Sequence, residues 1–233
     1  MGADRIRVAR ERGRPARPDN IYVRLKDAIL MGSLRPMERI TENKVAASYG
    51  LSRTPVREAF RRLEAEGLIQ VVPQRGSFVS QPSVEDILEI YQIRMPLECM
   101  SARLAAERIE DEQLGRLGDL VRAERARVEG RSAERSLRAS AEFHGVLYAC
   151  TRNKRLASFM RDMQSQVHRV RVLWPSTVAR LEETWKEHAA ILAALRARDG
   201  AEAERLMRQH LERAQASTLN RILPANPGDL STP

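Results

Sequence analysis

Two cysteines in 233 residues are too few for a disulfide framework, and neither Cys99 nor Cys150 belongs to a C-x-x-C pair. Each stands among apolar neighbours in a helical pattern and reads as a buried thiol. Aromatics make up 4% of the chain, while Ala, Leu, Arg and Glu dominate, which favours helices over sheet. No apolar run approaches the ~18 residues that span a membrane. The first twenty residues are arginine-rich and lack the apolar core of a secretory signal. These absences give the expectation of a cytoplasmic protein with no membrane partner.

Charge is present, and unevenly placed. The formal net charge is +9, and the isoelectric point is about 10.3. Residues 1–80 hold 16 Lys and Arg against 9 Asp and Glu, whereas residues 81–233 hold 24 against 22. A basic N-terminal part joined to a nearly balanced remainder points to a polyanionic partner at one end only.

Within that basic part, Ser52-Arg53-Thr54-Pro55-Val56-Arg57-Glu58-Ala59-Phe60 reads as the start of a DNA-recognition helix. Ser52 or Thr54 is placed to cap it, and Pro55 suits a first turn. Val56, Ala59, Phe60 and Leu63 recur at helical spacing and form its buried face. Arg53, Thr54 and Arg57 stand at the exposed N-terminal end, the end that enters a major groove. Arginine grips guanine O6 and N7 in a bidentate manner, and Thr54 bonds a phosphate or a base edge. Arg61 and Arg62 lie further from the helix start and read as solvated.

The surrounding pattern completes a winged helix-turn-helix over residues 20–80. A first helix spans 21–31, and a second, capped by Thr41, spans 42–49 and ends at Gly50. Two β-rich runs, 69–72 and 77–80, flank Pro73-Gln74-Arg75-Gly76 as a hairpin wing. Gly76 lets the wing backbone approach a minor groove, with Arg75 beside it. Residues 1–19 read as a flexible basic tail, 81–83 as a linker and 223–233 as a disordered tail. Between them, 84–222 reads as an all-α six-helix domain, with helices near 84–107, 111–128, 132–150, 154–174, 178–198 and 201–222. Ser83 and Asp86 form a capping-box-like start. The fold class is therefore mainly α: a winged helix-turn-helix followed by an antiparallel helical bundle.

The segment 21–80 resembles the DNA-binding domain of the GntR transcription regulators through Ser52 to Ala59, Leu63 to Ile69 and Arg75-Gly76. The remainder resembles the FCD effector domain of the FadR subfamily. Its marks are Ile90-Tyr91-Gln92-Ile93-Arg94 with Glu98, Phe143-His144 with Asn153, Glu187-His188 to Leu192, and His210-Leu211-Glu212. Six helices rather than seven look like the VanR branch. The resemblance implies a homodimer, a near-palindromic operator on double-stranded DNA and a small carboxylic acid effector. It also implies that an arginine opening the second helix touches DNA. Here that position is Asn43, next to Lys44, so the contact is weakened or reassigned.

The resemblance further places divalent-metal ligands at His144, His188 and His210. Neutral imidazole suits zinc, nickel, manganese or iron. The family's fourth ligand, an aspartate one turn before the first histidine, is replaced by Ser140, and Glu142 faces away from His144; the site either keeps a metal on three histidines and water or holds none, its imidazoles then binding an anion directly or serving as polar core groups. Arg94 lies among apolar residues and needs an anionic partner. That partner is either the carboxylate of an effector or Glu98 at i+4. Ser140 and Arg94 thus stand as effector-site candidates, while His168, Arg169, Arg171 and Trp174 have weaker claims to a pocket edge.

The reading that results is a ligand-responsive DNA-binding regulator, most often a repressor in such families, and not an enzyme. Two alternatives remain: a metal-responsive regulator, and a metal-dependent enzyme built on three histidines. The last lacks a general base near the histidines and any H-E-x-x-H motif.

Overall fold

The computed structural model describes residues 18–129 and 133–223, and the chain divides into two compact units that meet between Pro82 and Ser83. The expected tails fall outside the described residues except at their inner ends. Pro18 already belongs to the first helix, and Leu223 caps the last.

The first unit contains α1 (Pro18–Leu30), β1 (Arg39–Ile40), α2 (Glu42–Tyr49), α3 (Arg53–Ala65), β2 (Ile69–Val72) and β3 (Gly76–Val79). Ile21, Leu25 and Ile29 recur along one face of α1 and are buried with Val45, Val56, Phe60 and Leu63 in a single core. Thr41 accepts a hydrogen bond from the Lys44 N–H and so caps α2. Gly50 ends that helix at φ 65°, a left-handed turn that costs glycine little. Ser52 occupies the N-cap of α3 but makes no side-chain capping bond, and Thr54 lies inside the helix.

The wing differs from the expected two-stranded hairpin. Its second strand begins at Gly76 rather than at residue 77, and β1 pairs with that strand's other edge, giving an antiparallel sheet of order β1-β3-β2. Arg39 pairs with Phe78 and Ile40 with Ser77. Ile40 is fully buried, and that burial anchors a strand too short to show any period of its own.

The second unit holds α4 (Val84–Arg108), α5 (Asp111–Glu129), α6 (Ala133–Cys150), α7 (Lys154–Leu173), α8 (Val178–Arg196) and α9 (Gly200–Ile222). The Ser83–Asp86 capping box is fully formed: Ser83 Oγ accepts from the Asp86 N–H, and Asp86 Oδ2 accepts from the Ser83 N–H. Small residues on α4 (Ala102, Ala105 and Ala106) let that helix pack closely with Met207 and Leu211 of α9 and with Leu195 of α8. Cys99 and Cys150 are free buried thiols in this domain. No described helix is long and apolar enough to cross a membrane.

Candidate effector and metal centre, and a candidate DNA-facing helix

Three helices of the second unit each turn one histidine inward. His144 on α6, His188 on α8 and His210 on α9 are buried, and one ligating atom from each lies within 4.8 Å of the others. The ring centroids are 4.8–5.3 Å apart, and Phe143 stacks on His188 at 4.2 Å, which fixes that ring's tilt.

Each imidazole is held from behind by a carboxylate. Glu98 Oε2 lies 2.7 Å from His144 Nδ1, Glu124 Oε2 lies 2.7 Å from His188 Nδ1, and Glu187 Oε2 lies 2.7 Å from His210 Nδ1. The first approach is close but poorly aligned as a hydrogen bond; the other two are well formed. An ionised carboxylate only accepts, so Nδ1 carries the proton and Nε2 presents its lone pair. All three Nε2 atoms are buried and lack a hydrogen-bond partner. Buried nitrogens left this way cost stability unless something else satisfies them. Imidazoles with carboxylates behind them and free lone pairs in front have the donor set of a divalent-metal site.

Electrostatics keep the His144 and His210 rings neutral. Burial lowers the pKa of His144 below 6.5 despite the opposing pull of Glu98. Burial also takes His210 well below 6.5, helped by the other two histidines and by Arg180 and Arg171. Burial alone would raise Glu98, but the neighbouring Arg94 and His144 hold its carboxyl well below the usual range.

Arg94 meets Glu98 through Nε at 2.7 Å and stacks over Tyr91, while its NH1 group is unpartnered. The i+4 partner is thus present, and one face of the guanidinium is still open to a ligand. Ser140 is buried and accepts from Arg171 NH1 at 3.3 Å. Glu142 is exposed, in line with its i−2 position.

Two cavities border the cluster. One, of about 360 Å³ with its open mouth included, is lined by Arg94, His144, Tyr148, Gln164, His168 and Arg171. The other, of about 470 Å³ on the same measure, is lined by Ser140, Arg171, Trp174, Arg180, Thr184 and His210 among others. Arg171 and Trp174, weak candidates in the sequence, are therefore cavity residues, and Arg171 borders both spaces.

Sequence reasoning missed Glu124 and Glu187 as histidine partners and saw Glu98 only as a partner of Arg94. A signal existed for Glu124. Leu117, Val121, Glu124 and Val128 form a buried stripe on α5 at helical spacing, with one carboxylate in an apolar place.

In the first unit, Arg53, Thr54 and Arg57 are exposed at the start of α3, and Asn43 and Lys44 are exposed on α2. Arg53 NH2 lies 3.4 Å from Glu42 Oε2, and Arg57 Nε lies 3.5 Å from Glu42 Oε1. One carboxylate therefore gathers both arginines. Arg75 is exposed in the wing, and Gly76 has φ 104°. A Cβ on Gly76 would come 3.2 Å from Arg39 Nε, so the Arg39 side chain lies over the wing's glycine.

Comparison with known proteins agrees with this division. Residues 18–79 match the family described as bacterial regulatory proteins, gntR family, and residues 89–213 match the FCD domain. The chain is 32% identical over 205 residues to the HTH-type transcriptional repressor RspR of Escherichia coli, covering 87% of this chain and 90% of that one. It is 32% identical over 199 residues to the HTH-type transcriptional repressor GlaR of Escherichia coli, covering 82% and 90%. A crystal structure of a GntR-type regulator from Rhodococcus sp. RHA1 superposes with a TM-score of 0.72 at 27% identity, covering 87% of this chain and 97% of that one.

Proposed function

Since the chain belongs to the GntR family of DNA-binding transcription regulators and carries an FCD domain rather than an enzymatic one, we propose that it is a repressor. Its operator affinity is set by a small carboxylate bound beside a three-histidine divalent-metal centre. The observation that carries the reading is the set of three buried, unpartnered Nε2 atoms, each on a ring with a carboxylate oxygen 2.7 Å from its Nδ1. His144, His188 and His210 would hold the ion; zinc, nickel, manganese and iron all suit imidazole nitrogen. Bound there, the ion supplies positive charge that attracts a carboxylate. Arg94 and Ser140 line the approach. The names of two relatives, both repressors, support the sign of regulation.

At the other end, Arg53 and Arg57 read base edges, and Thr54, Lys44 and Asn43 contact phosphates or neighbouring bases. Arg75 and Gly76 bring the wing to the minor groove. Two copies of the chain bind a near-palindromic operator as a homodimer. An effector-to-operator coupling of ~1–3 kcal/mol is enough for a switch.

The test is a gel-shift titration on DNA flanking the protein's own gene, with zinc and carboxylates added separately and together. Carboxylate-dependent release in the presence of metal supports the reading. Release by metal alone would make the ion itself the effector, and indifference to both would remove effector control.

A further inference from the structure

Arg171 stands out among the charged residues that line the two cavities. Around the two cavities Arg94, Arg171 and Arg180 meet Glu98 and Glu124, and Glu187 stands behind His210 within reach of Arg180 and Arg213. Arg94 is paired with Glu98 at 2.7 Å, and Arg180 with Glu187 at 2.8 Å. Glu124 serves His188, and its second oxygen, Oε1, is unpartnered. Among the described residues Arg171 makes no ion pair, Glu98 acting on it only at longer range, and its one hydrogen bond is to the Ser140 hydroxyl at 3.3 Å.

The Arg171 residue keeps partial exposure, yet burial of its guanidinium is the largest influence on it, followed by repulsion from Arg94. A desolvated guanidinium bonded only to a neutral hydroxyl is poised for an anion. Arginine also prefers a planar, two-oxygen partner over a point charge.

Charge then fixes how many anionic groups are needed. With Arg213, which pairs with Glu187 at 3.1 Å, and Glu183, which pairs with Arg180 at 3.4 Å, the set holds four arginines and four glutamates and cancels formally. A divalent ion on the three Nε2 atoms adds two positive charges, and a single carboxylate compensates only one of them.

We infer that the effector is a compact dicarboxylate. One carboxylate faces the three imidazole Nε2 atoms, and the other is gripped by the Arg171 guanidinium beside Ser140. Arg171, which borders both cavities, is the group that selects two-charge ligands over one-charge ligands. This inference rests on the metal-and-carboxylate reading above and sharpens it by naming the ligand class and the selecting residue.

The experiment uses the full-length, zinc-loaded protein. Calorimetric affinities are measured for malonate, succinate and glutarate, and for the monoamide of each, which keeps the length and removes one charge. At least one diacid is expected to bind tenfold or more tightly than its monoamide. In Arg171→Gln that ratio should fall to within twofold, with zinc content unchanged by atomic emission. A wild-type ratio near one overturns the inference while leaving the carboxylate reading intact. So does a ratio that survives in R171Q. If neither diacids nor monoamides bind the wild type, the carboxylate reading falls and this inference with it. The wild-type ratio needs no variant, so a misfolded R171Q does not shield the proposal.

Discussion

Glu124 Oε2 stands 2.7 Å from His188 Nδ1, and both side chains are sealed from solvent, on helices α5 and α8. The carboxylate holds the ring in the tautomer whose Nε2 points at His144 and His210. Glu124→Gln keeps the size but offers an amide that can face either way. Groups of this kind behind a ligand usually contribute ten- to a hundredfold to metal affinity. Zinc affinity measured against a competing chelator should fall by about that range in E124Q. An unchanged affinity would show that His188 does not depend on its partner.

Glu42 gathers Arg53 and Arg57, and on the reading proposed above both arginines leave it for base edges or phosphates. Exposed pairs of this type are worth about 0–1 kcal/mol, so releasing them is cheap. Glu42→Gln should tighten binding to duplex DNA modestly, about two- to fivefold by that magnitude, as read by anisotropy at fixed salt. Weaker binding would mean that Glu42 orders the arginines instead of occupying them.

Arg57→Ala should abolish operator binding while leaving the circular dichroism spectrum and the oligomeric state unchanged. The residue is exposed, its side-chain partner in the structure is the polar Glu42, and no core contact is lost. Retained operator affinity in a gel-shift titration would remove Arg57 from the reading head.

Gly76→Ala tests the wing. At φ 104° any side chain is strained, and a Cβ would press on Arg39 at 3.2 Å. A non-glycine residue in such a region costs on the order of 1–3 kcal/mol. The expected outcome is weaker DNA binding and a lower melting temperature for the first unit, with zinc binding in the second unaffected.

The stability of the metal-free protein should fall with acid. His144 and His210 have folded-state pKa values depressed below 6.5 by burial, so below that pH the unfolded chain binds protons that the folded chain refuses. The loss starts as pH drops past about 6.5 and continues to the lowered folded values. Glu98 adds a second loss at more acid pH, because its depressed carboxyl must also be protonated. Urea midpoints at pH 7.5 and 5.5 should differ, with the lower value at pH 5.5. Equal midpoints would mean that the histidines titrate normally.

The helices and the three histidines were legible in the sequence because periodicity, caps and motif order are local properties. The boundaries of α4 to α9 fall within two residues of those read from the pattern. The carboxylates behind the rings were hidden for a physical reason: each partner lies on a different helix from its histidine, and the register between helices is set by packing. Glu187 shows this well. It adjoins His188 in the chain, but successive helical residues point about 100° apart, and it serves His210 instead. β1 was invisible because two residues carry no alternation. The pairing of Arg53 and Arg57 with Glu42 spans a turn whose geometry no spacing rule encodes.

The most direct test of the account is the affinity of the zinc-loaded protein for DNA flanking its own gene, set against random duplex of equal length. Both are measured by anisotropy at about 0.15 M salt, with and without a diacid. The account predicts a preference of roughly a thousandfold or more, reduced at least about fivefold by the diacid. Equal affinity for both duplexes, or a preference that no carboxylate alters, would contradict it.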